Sequence, residues 1–261
     1  MKCPVVEVPV LDPWAALRAA TPARIGLGRS GDALPVRDVL DFQLAHAKAR
    51  DAVNRPLDAA AILQAVPGSL LVRSAAPDRA AYLRRPDLGR RLHEECRAGL
   101  MRHGAPGGCG SGGYDAAFVI ADGLSPVGVQ RHAVPLLRAC LARLAGWSVA
   151  PAVVAVQARV ALGDEVGELL GARLCVILIG ERPGLSVADS LGAYVTYGPR
   201  AGRRDSERNC VSNIHSGGLS YDAAADMLAW LVTEARSREL TGVALKDDRM
   251  IGAGPLRLDA P

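Results

Sequence analysis

The stretch that most constrains this chain is residues 174–184, Leu-Cys-Val-Ile-Leu-Ile-Gly-Glu-Arg-Pro-Gly. Residues 174–179 are apolar without interruption. A short run of this kind, rich in β-branched side chains and closed by Gly and Pro, predicts a strand buried on both faces. Pro183 fixes its own φ and pushes Arg182 out of the helical region, and Gly184 is free to take a positive φ. The strand therefore stops at Gly180. Glu181 is expected at the carboxyl end of a central strand, the edge at which open α/β sheets bind ligands.

The rest of the chain is read outward from that strand. Further strands are predicted over residues 69–74, 114–123, 152–160, 193–197 and 210–214. Between them lie helical patterns over 77–83, from Pro86 to about His103, and over 129–144, 163–170 and 221–239. Strands alternating with helices imply a largely parallel sheet covered on both faces. Upstream, Pro4, Pro9, Pro13 and Pro22 mark an extended arm with one short helix over 14–20. Helices are then predicted over 35–53 and 58–66. The first of these carries an apolar stripe of Val36, Val39, Leu40, Leu44 and Ala47 at helical spacing. The expected fold class is α/β: a mostly parallel, Rossmann-like sheet with helices on both faces, preceded by a small helical N-terminal subdomain. The expected division is residues 1–68, 69–240 and an irregular tail, 241–261.

Composition narrows the function classes. An apolar content of 49% with 22% charged residues suits a globular protein with a sizeable core. A net charge of +4, with the arginines dispersed, lacks the basic stripe of a nucleic-acid binder. No apolar run approaches the ~20 residues of a membrane span, and the N-terminus lacks a signal-peptide pattern, so the expectation is a cytoplasmic protein. The six cysteines form no Cys-x-x-Cys pair and no Cys/His spacing of a zinc site. They are expected as reduced thiols. The glycines of residues 104–113, around Cys109, are expected to form a surface insertion.

Several motif matches fail on context. Gly26, Gly28 and Gly31 fit G-x-G-x-x-G, with Asp51 about 20 residues on. A dinucleotide fingerprint needs a buried strand before it and a helix at once after it; here Pro22 precedes, and the helix waits until Pro35. An ordered glycine-rich turn is the better reading, with a nucleotide-dependent oxidoreductase as the competing class. Asp164, Glu165 and Glu168 could do acid–base work but suit the first turn of a helix. Cys210 and His215 suggest a nucleophile and base, yet their odd offset would put them on opposite faces of a straight strand. His46 reads as a solvated or interface side chain. There is no Walker lysine and no G-x-S-x-G elbow. Nothing amounts to a self-sufficient active site, and Glu181 is the leading site residue.

Six segments in order carry a resemblance. They are Arg-Ile-Gly-Leu-Gly-Arg-Ser-Gly from Arg24, Asp-Phe-Gln-Leu-Ala-His-Ala-Lys-Ala-Arg-Asp from Asp41, and Tyr-Leu-Arg-Arg-Pro-Asp-Leu-Gly-Arg-Arg from Tyr82. The others are Ile-Ala-Asp-Gly-Leu-Ser from Ile120, Gly-Glu-Arg-Pro-Gly-Leu from Gly180, and Arg-Asn-Cys-Val-Ser-Asn-Ile-His from Arg208. Together, over residues 20–240, the chain resembles the small subunits of the ethanolamine ammonia-lyases. The resemblance implies a partner, the large barrel subunit that carries the ethanolamine site, with six copies of each chain in a trimer of heterotetramers. It implies adenosylcobalamin lying between the two chains, with its own dimethylbenzimidazole on cobalt; the absence of Asp-x-His-x-x-Gly here agrees with that. It implies radical conversion of ethanolamine to acetaldehyde and ammonia, with no catalytic or metal-ligating residue in this chain. Three cofactor contacts carry over: Val160 of the Arg-Val pair, Glu181 of Gly-Glu-Arg-Pro-Gly, and Cys210 of Cys-Val-Ser-Asn-Ile-His. The N-terminal arm is shorter than the family's long extension associated with bacterial microcompartments, which argues against encapsulation.

Overall fold

A computed structural model describes residues 12–105 and 113–247. Most of the expected glycine-rich insertion, with Cys109, lies outside the described residues, as does Cys3. The strands are β1 (Leu70–Arg73), β2 (Tyr114–Ala121), β3 (Val153–Val156), β4 (Ala172–Gly180), β5 (Leu191–Tyr197) and β6 (Asn209–Ile214). The α-helices are α1 (Ala15–Ala20), α2 (Val36–Asn54), α3 (Ala59–Ala65), α4 (Arg79–Arg84), α5 (Pro86–Gly89), α6 (Glu94–Met101), α7 (Pro126–Arg143), α8 (Leu162–Leu170) and α9 (Tyr221–Arg238).

One sheet runs in the order β1-β3-β2-β4-β5-β6. The β1–β3, β3–β2 and β2–β4 pairs are parallel, whereas β5 and β6 are antiparallel to their neighbours. The sheet is therefore mostly parallel, as expected, with two antiparallel-paired strands, β5 and β6, at one edge. The reason is the short link between β4 and β5, residues 181–190, which carries no helix. A parallel return needs a crossover of a dozen residues or more, but an antiparallel one does not.

Alternation along the strands builds two cores. Ala116, Phe118 and Ile120 of β2 and Leu174, Val176 and Leu178 of β4 face α3, α7 and α9. Ala117, Val119 and Ala121, with Cys175, Ile177 and Ile179, face α6 and α8. The run at 174–179 is thus apolar because both of its faces are covered. Each fully buried Leu, Ile or Phe contributes about 1.5–3 kcal/mol.

Three local expectations change. The helix expected from Pro86 to His103 is two helices, because Leu92 bridges Ser74 and His93 caps α6. The expected strand over 152–160 ends at Val156, since Gln157 turns left-handed with φ of 58°. The stripe expected on α2 is largely exposed: Val36 keeps 72% and Leu40 58% of their surface, and the buried residues of α2 are Ala45 and Ala52. Helical periodicity identified the helix but not the face that meets the body.

The glycine-rich segment after Pro22 has no strand before it, and Gly26, Gly28 and Gly31 all have positive φ. Gly26 packs under Trp14, and its carbonyl accepts from Arg18 at 2.5 Å. This is an ordered turn, without the strand–turn–helix frame of a dinucleotide site.

Candidate functional site

The site is built where β2, β3 and β4 end. Asp122, buried just past β2, takes both amides of the turn leaving β3. Its Oδ2 accepts from the Gln157 N–H at 2.8 Å and its Oδ1 from the Ala158 N–H at 2.9 Å. Arg79 donates to the same carboxylate at 3.2 Å. Burial pushes the Asp122 carboxyl up, while Arg79 and the two amides pull the other way. A left-handed non-glycine residue such as Gln157 costs ~1–3 kcal/mol and needs such ties to persist. The turn delivers Arg159 and Val160 immediately before α8 starts.

Val160 lines an open hollow of about 690 Å³, with Pro86, Asp87, Arg90, Arg159, Tyr194, Asp205 and Arg208. Its outer wall is held by a buried ion pair. Arg208, at the foot of β6, donates to Asp164 of α8 at 2.5 and 2.7 Å, to the Thr196 hydroxyl at 3.0 Å and to the Arg203 carbonyl at 2.9 Å. Burial alone would lower the Arg208 guanidinium, but Asp164 outweighs it and holds Arg208 firmly charged. The acidic cluster at the start of α8 is therefore structural: Asp164 meets Arg208, Glu165 meets Arg97 at 2.5 Å, and Glu168 accepts from the Ala201 N–H at 3.1 Å.

Glu181 follows β4 and keeps that strand's alternation, on the same face as Ile177 and Ile179. Its Oε2 accepts from the Asn213 N–H at 3.2 Å, and a Cβ on Gly192 would lie 3.1 Å from its Oε1. Asn213 is left-handed, with φ of 62°, at an irregularity in the β5–β6 register. Cys210, exposed on β6, lies directly across from Tyr194 of β5, which in turn lies across from Ile177. Directly opposed residues share a face.

Val160, Glu181 and Cys210 are thus all neighbours of one residue that sequence reasoning missed, Tyr194. It lines the hollow with Val160 and pairs across the strands with Cys210. Burial pushes its phenol up, the hydrogen bond with Cys210 adds to this, and the charge of Glu181 adds further. Glu181 and Cys210 lie on that same face but outside the lining of the hollow itself. Val160 is not at a strand end, as expected, but four residues beyond β3. Only the β4–β5–β6 register reveals Tyr194, and a single sequence does not show register.

Cys210 and His215 form no dyad, in line with their odd offset: the Cys210 sulfur lies 3.0 Å from the Ser212 hydroxyl, and His215 bonds Asn213 Oδ1 at 2.9 Å. His215 lines a different groove, of about 890 Å³, between α2 and the loop over 184–189. Another histidine braces that loop. His132 of α7 lies 2.8 Å from the Tyr221 hydroxyl and 3.7 Å from Asp189. Burial holds it below the usual imidazole range, against the pull of Asp189, with Arg131 and His215 also lowering it. A histidine whose folded pKa is depressed stabilises the fold above its unfolded value, about 6.5, and that contribution is lost as pH falls through the folded value. Thermal unfolding is expected to show stability dropping below about pH 6.5, by at most ~1.4 kcal/mol per pH unit, and His132→Gln should flatten this slope. An unchanged slope would remove His132 as its source.

Among the described residues, no group of three or more His, Cys, Asp or Glu is placed to hold a metal, and no helix is long and apolar enough to cross a membrane.

Comparison with known proteins bears on what this arrangement serves. Residues 11–246 match the family model described as ethanolamine ammonia-lyase light chain (EutC). The chain is 54% identical to the ethanolamine ammonia-lyase small subunit of Azotobacter vinelandii over 253 residues, covering 93% of each chain. It is 55% identical to that of Xanthomonas campestris pv. campestris over 247 residues, 92% of this chain and 89% of the relative. It is 49% identical to that of Pseudomonas fluorescens over 258 residues, 96% and 92%. A match this long, at this identity, places the chain in the ethanolamine ammonia-lyase light-chain family.

Proposed function

We propose that this chain is the small subunit of an adenosylcobalamin-dependent ethanolamine ammonia-lyase and forms one wall of the cofactor cleft. The large barrel subunit supplies the other wall and the ethanolamine site, with six copies of each chain arranged as a trimer of heterotetramers. When bound, adenosylcobalamin supplies the radical that converts ethanolamine to acetaldehyde and ammonia.

The observation that carries this reading is the gathering of Val160, Glu181 and Cys210 around Tyr194, beside an open hollow. The donor set suits a corrin. Its rim is studded with amides, so Glu181 accepts their N–H groups through the oxygen that Asn213 leaves free. Val160 and the ring of Tyr194 offer apolar contact, and Cys210 offers a small soft side chain at the surface. A hollow of about 690 Å³ is of the size that encloses a drug-sized ligand, about 300–1,000 Å³. A corrin with its nucleotide tail is larger, so this wall takes an edge of it and leaves the remainder to a partner. The protein contributes position and environment, and the cofactor contributes the chemistry.

The test is to mix the two subunits and titrate adenosylcobalamin. Neither subunit alone is expected to deaminate ethanolamine. Glu181→Ala should weaken cofactor binding by the mixed complex by about 10- to 100-fold, the worth of a hydrogen bond to a charged group. Unchanged affinity would reduce this chain to a scaffold that never touches the corrin, and activity of this chain alone would overturn the reading.

A further inference from the structure

Three arginines and two aspartates line the hollow, leaving one positive charge in excess. Two of the three arginines are matched: Arg90 meets Asp205 at 3.0 Å, and Arg208 meets Asp164. Asp87 is taken up by Arg85 at 2.7 Å. Arg159 is the exception, with no carboxylate partner among the described residues. It is nevertheless held firmly. Its N–H donates to the Gly89 carbonyl at 2.8 Å, and its stem lies so close to Gly89 that a Cβ there would fall 2.9 Å from Arg159 Cγ. Its guanidinium carbon stands 4.5 Å from the centroid of the buried Tyr82 ring. The Tyr82 hydroxyl is anchored on the Ala158 carbonyl at 3.1 Å. Yet the buried Nε of Arg159 has no hydrogen-bond partner, and its Nη2 reaches only the Tyr82 carbonyl, at 3.5 Å.

A structural arginine is normally satisfied, because leaving a buried donor unpaired is costly. Arg79 Nη2 and Arg208 Nε are likewise buried without a partner, but both of those guanidiniums hold a carboxylate; among the described residues Arg159 is firmly positioned without one. A planar guanidinium with free donors matches an oxyanion of carboxylate or phosphate geometry. Arg79, on the same Tyr82 ring at 4.7 Å, is already engaged with Asp122 and adds positive potential without competing for the ligand.

We infer that Arg159 seats an anionic group of the bound ligand, namely the phosphodiester of the cobalamin nucleotide tail. This rests on the function proposed above. The side arms of the cofactor's corrin are neutral amides, so the phosphodiester is the acidic group on its periphery, and Val160, next in sequence to Arg159, would lie against the neighbouring apolar surface. The nucleotide tail therefore enters the hollow, while the corrin lies over Tyr194, Glu181 and Cys210.

The test compares binding of adenosylcobinamide and adenosylcobinamide phosphate to the complex of both subunits, measured by equilibrium dialysis and read by corrin absorbance. The two ligands differ only in the phosphate. The natural complex is expected to bind the phosphate form at least about tenfold more tightly. Arg159→Met should abolish that preference while leaving adenosylcobinamide affinity nearly unchanged, and Arg159→Lys should restore part of it. Should Arg159→Met fail to assemble with the large subunit, Arg159→Gln, which keeps the stem against Tyr82, is read in the same way. Equal affinity of the natural complex for both ligands, or equal weakening of both by the variant, overturns the inference and leaves the proposed function standing. Failure of the natural complex to bind adenosylcobalamin itself overturns both.

Discussion

Arg208→Met is expected to lower the unfolding free energy by about 3–5 kcal/mol, the largest effect of any single change considered. The cause is less the bond that is lost than the carboxylate left behind. Asp164 keeps about 2% of its side-chain surface exposed, as does Arg208. Burial already pushes the Asp164 carboxyl up, against the pull of Arg208, so removing the cation leaves a buried charge that must take up a proton or draw in water. Urea titration followed by far-ultraviolet circular dichroism measures the loss. The double change Arg208→Met with Asp164→Leu should recover much of it, because replacing both members of a buried pair by apolar groups is often nearly neutral. A loss below about 1 kcal/mol for the single change would mean that the pair is solvated in the native protein and does not hold the wall of the hollow.

Gly180→Ala is expected to cost at least about 3 kcal/mol, the upper end for overpacking. A Cβ at that position would lie 2.6 Å from the Asp122 carbonyl oxygen and would also press on that of Ser125. Both obstacles are backbone, so no side-chain rotation relieves them. From the other side, a Cβ at Gly123 would lie 2.5 Å from Ile179. The turns that end β2 and β4 are therefore packed chain against chain, and any widening displaces Glu181. The midpoint of thermal unfolding should fall clearly, and cofactor affinity of the mixed complex should fall with it. A normal midpoint would show that the two turns separate at little cost.

Much of the α/β alternation was legible because each strand of the parallel half advertises itself. Residues 116–121 of β2 and 174–179 of β4 are apolar on both faces, and Gly180 with Pro183 punctuates the end of β4. The reversal at β5 was missed, although the helix-free link over 181–190 implied it. Glu181 was correctly expected just past the end of β4, since a run closed by Gly and Pro leaves little freedom there. Tyr194 and Arg208 were not found, because their roles come from strand register and from a contact spanning 44 residues. The apolar stripe of α2 shows the converse limit. Periodicity at 3.6 residues reports that one face differs from the other, and says nothing of what that face meets.

The grip of Asp122 on the turn at Gln157 spans 35 residues of chain. That acid does not border the hollow, yet it sets the direction from which Arg159 and Val160 emerge. Variation among relatives could therefore alter ligand preference without touching any residue that meets the ligand. A mutational survey confined to the lining would pass over the side chain that decides where two of its members stand.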